Sequence, residues 1–188
     1  MENTTFRDLN LNKPLLNALD DLGFETPTTI QQKAFSVVMS GKDMLGIAQT
    51  GTGKTLAFLL PTLRQWNFTK DRLPQILIIV PTRELVMQVV EEIEKLTKYM
   101  TFTVVGVYGG ANIRTQAEEV SLGLDALVAT PGRLLDLVLR GDLALKNIKR
   151  LIVDEVDEMF DLGFRTQLTN ILDILPERKQ SLFFSATM

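Results

Sequence analysis

From Met44 onward the chain alternates between short apolar runs and stretches where apolar residues recur every three or four positions. A short apolar run bounded by turn formers predicts a strand, and the three-to-four spacing predicts a helix with one buried stripe. Six runs predict strands, at Met44–Ile47, Gln75–Val80, Phe102–Tyr108, Ala126–Ala129, Leu151–Val153 and Gln180–Phe184. The helical spacing predicts helices over Lys54–Trp66, Arg83–Tyr99, Arg114–Ser121 and Arg133–Arg140. Before residue 40 it predicts Pro14–Leu22, a turn at Gly23, and Gln31–Met39 after Pro27. Uninterrupted apolar strands separated by helices indicate an α/β fold, a mostly parallel sheet with helices on both faces. No repeat, low-complexity tract or linker interrupts the pattern, so the 188 residues read as a single domain whose first 40 residues form its N-terminal region.

The same pattern locates the chemistry. Each conspicuous polar segment follows directly on a strand, and parallel α/β sheets bind ligands at the carboxyl ends of their strands. Segments scattered along the sequence are therefore expected on one edge of the sheet. Composition narrows what that edge can do. The chain has no cysteine and no histidine, which excludes disulfides, thiolate metal sites, a cysteine nucleophile and histidine acid–base catalysis. Catalysis falls to carboxylates, hydroxyls, lysine, arginine or a bound metal. The net charge of -3 disfavours coating nucleic acid by bulk charge, so any nucleic-acid site has to be built from loops and backbone amides. No apolar run reaches the length of a membrane span. Met1–Asp8 is polar and acidic and lacks the features of a signal peptide, so a cytoplasmic location is expected.

Ala48-Gln49-Thr50-Gly51-Thr52-Gly53-Lys54-Thr55 follows a strand and opens a helix. Glycines let the backbone curl so that successive amides face one phosphate, and the helix N-terminus adds positive potential. Lys54 can reach the β- and γ-phosphates, and the Thr55 hydroxyl can ligate Mg²⁺. Thr50, Gly51, Thr52 and Gly53 complete the cradle, with Ala48 where the strict pattern has glycine. A plain glycine-rich turn at a helix start is the bland alternative. A second site follows Leu151-Ile152-Val153, where Asp154, Glu155 and Asp157 cluster. An acid there can hold Mg²⁺, directly or through water, which assigns Asp154; a second can take a proton from attacking water, which assigns Glu155. Taken alone, these acids fit an ordinary acidic helix start equally well.

With these motifs in place the chain resembles the DEAD-box family of RNA helicases, over nearly its whole length and in the family's motif order. Gly23-Phe24-Glu25-Thr26-Pro27-Thr28-Thr29-Ile30-Gln31 resembles the family's Q motif, and Phe6 stands 17 residues before Gly23, where the family has an isolated aromatic. The resemblance implies a RecA-like P-loop fold that binds ATP and Mg²⁺, with Gln31 reading the adenine edge and Phe6 stacking on the ring. Pro81-Thr82-Arg83-Glu84-Leu85-Val86-Met87-Gln88, Gly109-Gly110 and Thr130-Pro131-Gly132-Arg133 resemble the segments that line the RNA backbone. It implies sequence-independent contacts from Pro81, Thr82, Arg83, Gly109, Gly110, Thr130, Pro131, Gly132 and Arg133. Ser185-Ala186-Thr187 resembles the segment that ties ATP state to strand opening through the last acid of the acidic motif, here Asp157.

Two departures bear on function. Val156 stands where the family has alanine, which predicts tuning of the Asp157 coupling rather than its loss. The sequence stops at Met188, before the second lobe that the resemblance implies, so the expectation is ATP binding, weak hydrolysis and no unwinding by this chain alone. Two other readings stay open. A different P-loop ATPase would have no use for Phe6 and Gln31, and a stand-alone RNA-binding module would have no use for Lys54, Thr55, Asp154 and Glu155.

Overall fold

The computed structural model describes residues 4–49 and 51–187. Its strands are β1 (Met44–Ile47), β2 (Ile76–Ile79), β3 (Val104–Val107), β4 (Ala126–Ala129), β5 (Arg150–Val153) and β6 (Gln180–Ser185). They form one sheet in the order β1-β6-β5-β2-β4-β3, and every pairing is parallel. The helices are α1 (Lys13–Asp21), α2 (Thr29–Met39), α3 (Lys54–Arg64), α4 (Arg83–Leu96), α5 (Ile113–Ser121), α6 (Pro131–Leu139), α7 (Val156–Asp161) and α8 (Arg165–Ile174). The α/β architecture expected from the apolar pattern is the one observed.

The central strands β2 and β4 are buried at every position, as expected for strands covered on both faces. Their alternate side chains feed two separate cores. Ile76, Ile78, Ala126 and Val128 pack with Phe58, Leu59, Val86 and Ile93, so α3 and α4 cover that face. Leu77, Ile79, Leu127 and Ala129 pack with Leu134, Leu137, Met159 and Ile171, so α6, α7 and α8 cover the other. The helix starts obey local capping chemistry. The Asn12 side chain accepts from the Leu15 amide at 3.2 Å, Thr82 accepts from the Leu85 amide at 3.3 Å, and Pro131 begins α6.

The elements expected from the sequence have some misplaced ends and omit two helices. α3 stops at Arg64 rather than Trp66, and α4 at Leu96 rather than Tyr99, because turns replace the last helical bonds. The two omitted helices are α7 and α8. α7 is six residues long with one buried residue, Met159, too short for a stripe, whereas α8 does carry the helical spacing, at Leu168, Ile171, Leu172 and Leu175, and is legible in the sequence. Phe6–Asp8 forms a 3₁₀ turn held to the Q-like loop by the Phe6 amide, which donates to the Glu25 carbonyl at 3.1 Å.

Candidate active site

Strand order decides which motifs meet. β1 feeds the phosphate loop and β5 ends in the acids, with β6 inserted between them. The loop crosses that gap through Lys54, the first residue of α3, which is only 5% exposed. Its Nζ donates to Glu155 Oε1 at 2.7 Å and lies 3.9 Å from Asp154 Oδ1. Gly53 makes the turn into α3 at φ 89°, a left-handed conformation that side chains resist. An added Cβ would also stand 2.5 Å from Gln31 Nε2. Glu155 takes a left-handed conformation too, at φ 52°, unusual for a residue with a Cβ. That turn breaks the strand direction after Asp154, starts α7, and places the Glu155 carboxylate on Lys54. Backbone strain of this kind costs about 1–3 kcal/mol and is sustained by the surrounding contacts.

Burial pushes the Asp154 carboxyl up to about 6; Lys54 opposes the rise, Glu155 and Asp157 add to it, and the Glu155 amide, donating to Asp154 Oδ1 at 2.9 Å, opposes it. Asp157 goes the other way. Burial works to raise it, but hydrogen bonds from Thr187, with the nearby Ser185 hydroxyl and the Glu158 amide adding, hold its carboxyl below the usual range. The Thr187 amide and hydroxyl donate to Asp157 Oδ2 at 3.0 and 2.9 Å, so the ends of the neighbouring strands β5 and β6 are tied together. Val156 borders a cavity of about 130 Å³ with Phe160, Leu168 and Phe183, where its methyl groups have room.

A cleft of about 500 Å³ opens at this edge, lined by Phe6, Phe24, Gln31, Gly51, Gly53, Lys54, Thr55, Asp154 and Glu155 among others. The Q-like loop closes one side. Gln31 Oε1 accepts from the Thr28 amide at 2.9 Å, its Nε2 donates to the Gly53 carbonyl at 3.2 Å, and Thr28 Oγ1 donates to the Thr52 carbonyl at 3.1 Å. Both ends of the Gln31 amide are thus engaged within the chain. Phe6 is 3% exposed and borders the cleft from the core, whereas Phe24 is 43% exposed. Thr50 lies outside the described residues.

The remaining motifs occupy the other half of the edge, after the adjacent strands β2, β4 and β3. Arg83, Gly109 and Gly110 are exposed, Thr82 and Gly132 partly so, and Pro81, Thr130 and Pro131 are buried. The Arg83 guanidinium lies 4.9 Å from the Tyr108 ring centre. Arg133 departs from the outward contact expected of it. Its guanidinium is buried and donates to Gln116 Oε1 at 2.6 Å and to the Ala111 carbonyl at 2.9 Å. Gln116 also exchanges bonds of 3.3 Å with both the amide and the carbonyl of Tyr108. Arg133 and Gln116 together fix the Gly109-Gly110 turn. The motifs do not include Gln116, although a glutamine four residues before Val120 on the buried face of α5 is a readable signal.

The family model for DEAD/DEAH box helicases matches residues 28–188. The chain belongs to the DEAD/DEAH box helicase family. It is 45% identical over 186 residues to the ATP-dependent RNA helicase DeaD of Escherichia coli, covering 98% of this chain and 29% of that protein. It is 40% identical over 189 residues to the ATP-dependent RNA helicase HAS1 of Pyricularia oryzae, covering 99% of this chain and 32% of that protein. With the pre-mRNA-processing ATP-dependent RNA helicase prp-5 of Neurospora crassa the identity is 43% over 185 residues, covering 95% and 16%. The chain thus spans a third or less of these relatives. Among the described residues of this helicase-family chain no helix is long and apolar enough to cross a membrane.

Proposed function

We propose that this chain is the ATP-binding and RNA-backbone-binding lobe of a DEAD-box ATP-dependent RNA helicase that locally separates RNA duplexes. The observation that carries this reading is the buried Lys54–Glu155–Asp154 constellation, which joins the phosphate loop to the acids after β5 across the intervening β6. Among the described residues no three carboxylates converge as a metal site of their own. The donors at hand, the Thr55 hydroxyl and the Asp154 carboxylate, suit Mg²⁺, which binds through one or two protein oxygens together with substrate phosphates. When bound, Mg²⁺ neutralises charge on the transferring phosphate.

The chain's own groups then have distinct tasks. Without nucleotide, Lys54 is neutralised by Glu155. Phosphate oxygens draw the ammonium away, which frees the Glu155 carboxylate as base. A water attacks the γ-phosphorus, its proton passes to Glu155, and the bond to the β-phosphate oxygen breaks to leave ADP and phosphate. Gln31 exchanges its bonds to Thr28 and Gly53 for the adenine edge, and Phe6 stacks on the base. Arg83, Gly109, Gly110, Thr82 and Gly132 face the RNA backbone, with Pro81, Thr130 and Pro131 shaping the helix starts. Arg133 acts as a positioning residue behind them. Asp157, Ser185 and Thr187 link the acids to β6 and so couple the ATP state to a second lobe. Arginines from that lobe complete the catalytic site, so this chain alone turns ATP over slowly.

Calorimetric titration of Mg-ADP and Mg-GDP into wild type and Gln31→Ala tests the reading. A preference for ADP that disappears in the variant supports adenine reading by Gln31. Equal binding of both nucleotides by wild type would reduce the assignment to an unspecific P-loop site.

A further inference from the structure

We infer that α4 forms the wall of the nucleotide cleft that recognises the sugar, with Glu92 accepting from the ribose hydroxyls and Gln88 beside it. The inference rests on the ATP-site reading and adds a specificity-determining residue to it. Besides the phosphate loop, the acids and the Q-like loop, the cleft is lined by Leu85, Gln88, Val89 and Glu92. Positions 85, 88, 89 and 92 fall on one face of a helix, and Leu85 to Glu92 spans about 10 Å along its axis. That face looks across the cleft at Phe6, Phe24, Thr26 and Thr28.

The contacts of α1 set which end of the cleft Glu92 occupies. Asp21, the last residue of α1, accepts from Lys98 Nζ at 2.6 Å and Tyr99 Oη at 2.7 Å, just beyond the end of α4. Phe24 follows three residues after Asp21, and Phe6 is bonded to Glu25, so the aromatic end of the cleft is pinned to the C-terminal half of α4. Lys54 and Gly53 hold the opposite, phosphate end. Glu92 therefore faces the nucleoside rather than the phosphates, where a carboxylate would be repelled.

Its surroundings lack what a carboxylate needs. Glu92 is half-buried, and among the described residues none donates it a hydrogen bond. Burial accordingly raises its carboxyl above the usual range; Lys95 opposes the rise and Glu91 adds to it. Desolvating an acceptor without a donor is unfavourable unless a ligand supplies one. A nucleoside presents donors on its base edge and on two vicinal sugar hydroxyls. The base edge is matched by Gln31 on the phosphate-loop side, which leaves the hydroxyls for α4. A carboxylate with a neighbouring amide accepts from, and donates to, such a pair.

The test is calorimetry with Mg-ADP, Mg-2′-deoxy-ADP and Mg-3′-deoxy-ADP on wild type, Glu92→Ala and Glu92→Gln, with thermal melts confirming that the variants fold. Wild type is expected to bind at least one deoxy analogue about tenfold more weakly than ADP, as for loss of a hydrogen bond to a charged group. Glu92→Ala is expected to bind ADP and the deoxy analogues alike, and Glu92→Gln to keep part of the discrimination. If wild type binds all three alike, or Glu92→Ala keeps the full discrimination, the ribose assignment is overturned while the phosphate site stands. If Glu92→Ala instead loses the preference for ADP over GDP, Glu92 reads the base and the assignment to ribose is likewise overturned. If ADP does not bind, or binds equally well to Lys54→Ala, the ATP-site reading itself falls and takes this inference with it.

Discussion

At the residue scale the site is a balance among three buried charges. Asp154 keeps a carboxyl pushed up to about 6 even though Lys54 lies 3.9 Å away, so desolvation outweighs that attraction. The folded chain therefore holds a proton that the unfolded chain releases between about pH 4 and pH 6, and the Asp154 contribution to stability falls as pH rises through that window. A shift of this size corresponds to about 3 kcal/mol. Asp154→Asn is expected to raise the melting temperature of the nucleotide-free chain at pH 7.5 by about 6–12 °C. The gain should shrink towards zero near pH 4, where wild-type Asp154 is protonated. Melts of the two proteins across that range check it, and a variant less stable than wild type at pH 7.5 would contradict the burial argument. Glu155 carries a different expectation. In the full-length protein, Glu155→Gln should keep nucleotide binding while ATP turnover at saturating RNA falls by about 10²–10⁴, as for loss of a general base. Unchanged turnover would exclude Glu155 from that role.

At the element scale the packing of β1 on β6 fixes how the phosphate loop is presented. Gly46 pairs in register with Phe184, and a Cβ on Gly46 would stand 2.7 Å from the Phe184 ring. That ring is fully buried and packs against Phe58 of α3 at 5.3 Å between centroids, so it has nowhere to retreat. Gly46→Ala is expected to cost about 1–3 kcal/mol by overpacking. That lowers the melting temperature by about 2–10 °C. Gly132 provides the contrast. It lies in the first turn of α6, and a Cβ there would meet nothing within 4 Å, so Gly132→Ala should leave the melting temperature unchanged or slightly higher. Equal losses in both variants would show that packing on Phe184 is not the deciding term. The Asp157–Thr187 tie belongs to the same scale, since it joins the ends of adjacent strands by two bonds to one oxygen.

At the scale of the whole molecule, the sheet edge is divided: the motifs that the proposed function assigns to nucleotide follow β1, β6 and β5, and those it assigns to RNA follow β2, β4 and β3. On the proposed function, this division would let a chain of net charge -3 take two anionic ligands, because each would meet local amides and single cations rather than the overall field. The far end of the sheet is less covered. β1 is an edge strand, and its Leu45 and Ile47 are 68% and 45% exposed. An open parallel edge with apolar side chains invites association. This chain is expected to self-associate with rising concentration, and Leu45→Lys with Ile47→Lys should reduce that association without lowering the melting temperature. Sedimentation velocity across a concentration series measures it, and identical profiles for both proteins would rule out the β1 edge as the contact.

The sequence by itself determined the elements whose physics is local. Apolar runs such as Ile76–Ile79 require burial on both faces, Thr82 and Pro131 mark helix starts, and the Gly51–Thr55 segment turns into a helix N-terminus because left-handed glycines act within a few residues. It also marked Asp154, Glu155 and Asp157 as a cluster after a strand. Tertiary structure alone decided which distant groups meet. The insertion of β6 between β1 and β5, the closure of Lys54 onto Glu155, and the inward turn of Arg133 onto Gln116 depend on strand order and on which buried donors find acceptors. No spacing along the chain encodes those choices, and the same holds for α4 at the cleft wall, where Glu92 reads in sequence as one more charge on a helix face. Local rules fix where side chains of each kind occur; burial and pairing across the fold fix what each of them faces.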